Sequence, residues 1–219
     1  MKRMGSGASK LSPAVLENVD IVIIGGGYGG LQLAHEFKKR GIRFTLVEPK
    51  EYFHHCVGAL RAAVNVEYVK QTAIPLKEAF GDNYVQGRAV KIDVDEKKVV
   101  LESGQELCFS HCIICVGSLG PSPARSSALT REDLEEEAAQ FSEAVTKAEE
   151  IVVVGGGPVG VELAGEIIDK HPDKKITLVS ASEKLVSPNF DDKFQSSMKS
   201  TIERRKVKVR VTQSVDEDE

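Results

Sequence analysis

The sequence contains no run of about 18 apolar residues, the least a membrane-spanning helix needs, so no transmembrane helix is expected. Its N-terminus also lacks the apolar stretch of a secretory signal. Positive charge is in short supply: 29 lysines and arginines against 33 acidic residues leave a net charge of −4. That balance gives no electrostatic footprint for nucleic acid. The densest basic cluster is Arg204, Arg205, Lys206, Lys208 and Arg210. From Lys206 to Val211 it alternates with valine and reads as a strand with one solvated face. Cysteine is sparse as well. Four cysteines without a secretory signal point to a reducing, cytoplasmic setting. Cys112 and Cys115 have C-x-x-C spacing, but they sit in an apolar run that reads as a buried strand. Strand geometry would put their Cα atoms ~10 Å apart on opposite faces, too far for a disulfide.

What the sequence does have is enough apolar material for a core, 41% of 219 residues, and an internal repeat. Residues 21–37, IVIIGGGYGGLQLAHEF, align without gaps on residues 151–167, IVVVGGGPVGVELAGEI, with nine identities in 17 pairs. Downstream, RFTLVE from Arg43 matches KITLVS from Lys175. The glycines are offset by 130 residues and these later segments by 132, so the second copy has a slightly longer helix or loop. Each copy reads strand, glycine-rich turn, helix, strand. The expected fold class is therefore α/β, with two dinucleotide-binding, Rossmann-like domains in tandem.

The remaining segments are placed around the two copies. Residues 1–18 form a polar lead-in, expected to be mobile. Residues 84–118 show short alternating runs and read as an antiparallel meander ending in Cys112–Val116. Thr130 and Asp133 have the spacing of a capping box. Leu134, Ala138, Phe141 and Val145 then give an acidic connector helix one apolar stripe. The resulting division is 19–147 for the first domain, with meander and connector, and 148–219 for part of the second.

The glycine turns carry the chemistry. Gly25, Gly27 and Gly30 follow the apolar run Ile21–Ile24 and open a helical pattern, and Glu48 ends the next strand 23 residues after Gly25. Gly25 permits the tight turn, Gly27 lets a pyrophosphate approach the backbone, and Gly30 lets helix and strand pack closely. The helix N-terminus offers free N–H groups to phosphate, and the Glu48 carboxylate can accept hydrogen bonds from ribose hydroxyls. In the second copy Gly155, Gly157 and Gly160 take these places, and Pro158 suits a first helical turn. Ser180 stands where the first copy has Glu48. Without a carboxylate there a 2′-phosphate is not repelled, and Lys184 could attract it, so NADPH is acceptable as well as NADH. Glu162 is placed in the first helical turn, where it either faces the cofactor or serves the helix dipole. Two fingerprints imply two dinucleotides, FAD on the first and NADH or NADPH on the second, with nicotinamide C4 delivered to flavin N5.

The paired GGG motifs, Phe53-His54-His55 and Ala59-Leu60-Arg61-Ala62 resemble the ferroptosis suppressor proteins. These are apoptosis-inducing-factor-like flavoproteins related to type II NADH dehydrogenases, with the pyridine-nucleotide-disulfide-reductase layout. The resemblance runs from about Asp20 through Arg210. It implies NAD(P)H-dependent reduction of a quinone of the coenzyme Q type. It also implies FAD contacts at Gly25, Gly27, Gly29, Gly30, Glu48, the Arg61 region, the backbone near Val90, and Gly117. NAD(P)H would use Gly155, Gly157, Pro158, Gly160, Glu162 and Ser180. No metal ligand set is assigned. His54 and His55 are read as packing and hydrogen-bonding groups. A flavoprotein with a protein electron acceptor, or a catalytically inactive nucleotide-binding protein, are the alternative readings.

Disulfide reductases share the layout but carry a C-x4-C pair after the first acidic strand end, where this sequence has only Cys56. Nothing near Cys56 in the sequence is clearly cationic except Arg61. The strand end that relatives write Ala-Thr-Gly is Cys115-Val116-Gly117 here. Relatives also continue past the last residue, so a C-terminally truncated chain with an incomplete second domain is expected. Met4-Gly5-Ser6-Gly7-Ala8-Ser9 fits an N-myristoylation signal. Translation from Met4 would expose Gly5, whereas Met1-Lys2-Arg3 otherwise buries it. One myristoyl chain gives only marginal binding, and the resemblance implies peripheral association with mitochondrial outer, plasma or lipid-droplet membranes.

Overall fold

A computed structural model describes residues 19–214. Gly5 and the rest of the N-terminal lead-in lie outside the described residues. In chain order the elements begin β1 (Ile21–Ile24), α1 (Tyr28–Arg40), β2 (Phe44–Glu48) and β3 (Tyr52–His54). Then come α2 (Ala59–Val64), α3 (Val69–Thr72), β4 (Ala73–Pro75), α4 (Leu76–Phe80) and β5 (Tyr84–Gln86). Strands β6 (Ala89–Asp93), β7 (Lys98–Leu101), β8 (Glu106–Cys108) and β9 (His111–Ile114) follow, and then α5 (Arg131–Lys147). The chain continues with β10 (Glu150–Val154), α6 (Pro158–Lys170), β11 (Lys175–Ser180), α7 (Asp192–Arg204) and β12 (Val207–Val211).

Two compact units form. The first contains the described residues up to Phe53 together with Pro75–Ser118; the second contains His54–Ile74 and the described residues from Leu119 onward. This differs from a division at residue 147. The short α2 and the connector α5 join the second unit because Val64 and Val145 enter one core with Val153, Val161, Ile167 and Leu178.

The first unit is built on a parallel sheet in the order β5-β2-β1-β9. Side chains alternate across it, as strand geometry requires. Ile21 and Ile23 pack with Ala34, Phe44, Leu46 and Phe80 on one face, while Val22, Ile24 and Val47 pack with Val99 and Leu101 of β7 on the other. Both faces are covered, which is why β1 reads as unbroken Ile-Val-Ile-Ile. The antiparallel meander is confined to β6, β7 and β8. At its two ends the sequence reading is corrected: β5 and β9 belong to the parallel sheet. Short apolar runs do not specify their pairing partner, and both pair with strands more than 35 residues away in the sequence. Nor is the Cys112 strand buried throughout, because β9 ends the sheet and Ile114 is 62% exposed. The two cysteines do face opposite ways. Cys112 packs with the Val22 cluster and Cys115 with the Ile21 cluster, and both are free thiols.

The second unit repeats the pattern with a parallel sheet β10-β11-β12. The equivalence extends to register, with Ile21 opposite Phe44 in one copy and Ile151 opposite Ile176 in the other. Helices α1 and α6 both have 13 residues, so the longer offset of the second copy resides in the loop after α6. In β12, Val207 is buried while Lys208 and Arg210 are exposed, the solvated-face pattern expected from the alternation. Leu134, Ala138 and Val145 are the buried stripe of α5, and Phe141 packs partly against the same core. At the start of α5, Thr130 Oγ1 accepts from Asp133 N at 3.1 Å, satisfying one of the helix's unpaired donors. Thr130→Ala is expected to destabilise the second unit by about 1 kcal/mol. A urea midpoint that does not fall would show that the hydroxyl adds nothing over solvent.

Candidate dinucleotide sites

The two glycine turns leave their strands in the same way. Gly25 (φ +106°) and Gly155 (φ +115°) leave their strands through backbone conformations that side chains rarely adopt. Each donates its N–H to the neighbouring strand, Gly25 to Val47 O and Gly155 to Val179 O, both at 2.8 Å. A methyl group on Gly30 would lie 1.9 Å from Gly25 O, and one on Gly160 would lie 1.9 Å from Gly155 O. That contact fixes the close approach of helix to turn.

The third glycine of each GGG run behaves differently. Gly27 and Gly157 are the N-caps of α1 and α6, in extended conformations, with no side chain capping either helix. A Cβ at either position would meet nothing within 4 Å. Helix N–H groups without a side-chain acceptor therefore open onto space that a side chain would fill, the arrangement a pyrophosphate needs. The residues present fit a dinucleotide at both turns. Pro158 begins α6, where its missing N–H is not needed.

Glu48 does two things in the first unit. Its Oε2 accepts from Gly26 N at 2.7 Å and its Oε1 from Lys50 N at 3.1 Å. The carboxylate thus braces the glycine turn, and each oxygen keeps a lone pair for a further donor. Tyr84 supports this strand end by donating to Lys50 O at 2.7 Å, and its burial pushes the phenol well above its ordinary pKa. Gly29 faces Cys115 Sγ at 3.8 Å from where its Cβ would stand, Gly117 has φ +68° just beyond β9, and Val90 is 57% exposed on β6.

In the second unit Ser180 is buried and gives its hydroxyl to Ser182 O at 2.8 Å. Lys184 is paired with Asp192 at 3.0 Å. Glu162 is exposed and is the fifth residue of α6, beyond the first turn, in which no acidic side chain stands. The helix-capping reading of Glu162 is thereby corrected, since the dipole's effect is confined to the first turn.

Arg61 is the residue whose surroundings the sequence conceals. It belongs to the second unit, where its guanidinium grips Glu166 through Nε to Oε1 and Oε2 (3.1 and 3.2 Å) and through Nη2 to Oε1 (2.9 Å). The guanidinium carbon also lies 5.7 Å from the Tyr68 ring centre. Held by Glu166, the Arg61 guanidinium keeps its proton more firmly than usual, and Glu162 adds to that field. Glu166 could have been found from sequence as the residue one helical turn beyond Glu162. Arg125, rather than Arg61, is the cation at Cys56, donating to its Sγ. His54 lines a small cavity of the second unit with Thr72 and Glu137, and His55 N donates to Thr72 O at 2.7 Å.

Comparison with known proteins agrees with this geometry. The chain is 38% identical over 208 residues to ferroptosis suppressor protein 1 of Xenopus tropicalis, covering 94% of this chain and 55% of that protein. It is 36% identical over 202 residues to apoptosis-inducing factor homolog B of Dictyostelium discoideum, covering 88% of this chain and 51% of that protein. The resemblance first read from the FHH and ALRA segments is borne out, and the chain spans about half the length of the curated relatives it matches. Among solved structures, the covalent putidaredoxin reductase–putidaredoxin complex superposes with a TM-score of 0.75 at 17% identity, over 91% of this chain and 51% of that one. Residues 19–219 match the pyridine nucleotide-disulphide oxidoreductase family, and the chain belongs to that family.

Proposed function

We propose that this chain holds FAD at the first glycine turn and NADH or NADPH at the second. The whole protein would then be an oxidoreductase that passes electrons from the nicotinamide nucleotide through the flavin to a quinone. The observation that carries the reading is the duplicated turn, with an uncapped helix N-terminus and open space at both Gly27 and Gly157. FAD would be held by Gly25, Gly27, Gly29, Gly30, Glu48, Gly117 and the backbone near Val90. The nicotinamide nucleotide would be held by Gly155, Gly157, Pro158, Gly160, Glu162 and Ser180. When bound, the two cofactors supply the hydride chemistry, while the chain's residues bind and orient them. Glu48 would accept the ribose hydroxyls at the first site. Ser180 presents no carboxylate at the second, which supports use of either nicotinamide nucleotide.

The quinone acceptor and the peripheral membrane association follow from the resemblance to the ferroptosis suppressor proteins. A protein acceptor is the second reading, favoured by the likeness in fold to a reductase in complex with putidaredoxin. The visible absorption spectrum of the purified chain, taken before and after anaerobic addition of NADH, tests the proposal. A flavin band that bleaches is the expected result. Nucleotide binding without bleaching, after FAD has been supplied, would leave a binding protein and defeat the oxidoreductase reading for this chain.

A further inference from the structure

We infer that Glu166 is a positioning residue of the nicotinamide-nucleotide site: by gripping Arg61 it keeps that guanidinium off Glu162 and leaves the Glu162 carboxylate open to donor groups of the cofactor. The inference rests on the proposed function and concerns only the second unit. Glu162 and Glu166 stand one turn apart on α6 and share a face, where two like charges repel. Arg61 reaches this pair from α2, which packs on α6. Its fork is committed to Glu166 by three contacts of 2.9–3.2 Å, and the Tyr68 ring lies beside its guanidinium. Glu162 feels the same positive charge through space. Glu162 itself remains exposed to solvent.

The partners are unequal in a way that suits this role. The Arg61 side chain is 57% exposed, whereas Glu166 is only 18% exposed. The half-sunk carboxylate is the fixed member and the long guanidinium arm the movable one. A guanidinium matches any carboxylate within reach in a two-pronged fashion. Remove the charge at Glu166 and the next acceptor for the Arg61 fork is Glu162. The arm would then occupy the lone pairs that ribose hydroxyls or the carboxamide N–H2 of a nicotinamide would use.

This makes a prediction with a sign that a purely structural clamp does not share. Glu166→Gln keeps the volume of the side chain and removes its charge. It is expected to weaken NADH binding roughly tenfold, the equivalent of one charge-assisted hydrogen bond. Adding Arg61→Met removes the competing arm, so the double variant should regain most of the affinity lost. Both are measured by calorimetric titration of the purified chain with NADH, with urea midpoints recorded beside them to establish folding. If Glu166 merely fastened α2 to α6, the double variant would bind no better than the single one, and that result overturns the inference. Unchanged NADH affinity in Glu166→Gln overturns it equally. Failure of the unsubstituted chain to bind NADH is a different result, which removes the proposed nicotinamide site and this inference with it.

Discussion

Replacing Gly30 by alanine is expected to destabilise the first unit by about 3 kcal/mol or more, well above the ordinary penalty for adding one methyl group to a packed site. The new Cβ would stand 1.9 Å from Gly25 O, 3.1 Å from Gly25 C and 3.3 Å from Ile23 Cγ2. The first two atoms are backbone and cannot swing aside. Moving Gly25 is no easier, because its own N–H is bonded to Val47 O at 2.8 Å. On its other side a Cβ at Gly25 would lie 2.3 Å from Cys115 O, so strand β9 closes that direction. The remaining escape is to lift α1 off the sheet, which uncovers Ala34, Leu31 and Phe37 from the cluster they share with Ile21, Ile23 and Phe44. Since domains are stable by only ~5–15 kcal/mol, a loss of this size leaves a marginal or unfolded first unit. The measurement is the urea midpoint followed by circular dichroism. A Gly30→Ala chain that unfolds within about 0.5 kcal/mol of the parent would mean that α1 can move from the turn without loss of packing.

The geometry of the two glycine turns could be read from sequence because its information is local. Gly25 to Gly30 and Gly155 to Gly160 each fit a strand end, a turn and one helical turn, so spacing alone fixes them. The stripe of α5 was legible for the same reason, as was the cap at Thr130. What stayed hidden depends on contacts across long stretches of chain. Arg61 and Glu166 are 105 positions apart, and nothing in Ala-Leu-Arg-Ala says which helix that segment will pack upon. The same holds for β5, which lies beside β2 because the register opposes Leu46 with Tyr84, a choice that a three-residue run does not encode. The position of Glu162 went astray over a single turn: with Gly157 as N-cap and Pro158 first, Glu162 is too far along to serve the dipole. Ser180 was correctly placed as the counterpart of Glu48, but only the structure shows that its hydroxyl is already committed to Ser182 O.

Aspartate at Gly27 or Gly157 should separate folding from nucleotide binding, with the opposite balance to Gly30→Ala. Both glycines are helix N-caps with φ of −76° and −73° and extended ψ, a conformation any residue adopts. Neither would bring a Cβ within 4 Å of another group. Aspartate is among the preferred N-cap residues and differs from glycine there by only a few tenths of a kcal/mol, so urea midpoints should stay level or rise slightly. Its carboxylate would accept from the same N–H groups that a pyrophosphate would use, and would set a negative charge where the phosphates must come. Losing two charge-assisted hydrogen bonds at about 1.5–3 kcal/mol each gives at least a hundredfold weaker binding. The effect should also be selective. Gly27→Asp should lose FAD, read as flavin absorbance carried through gel filtration, while retaining NADH binding. Gly157→Asp should do the reverse. Equal loss of both nucleotides from either variant would mean that the two turns do not hold separate cofactors. Retention of both would place the phosphates elsewhere, and the open space before α1 and α6 would then have no part in binding.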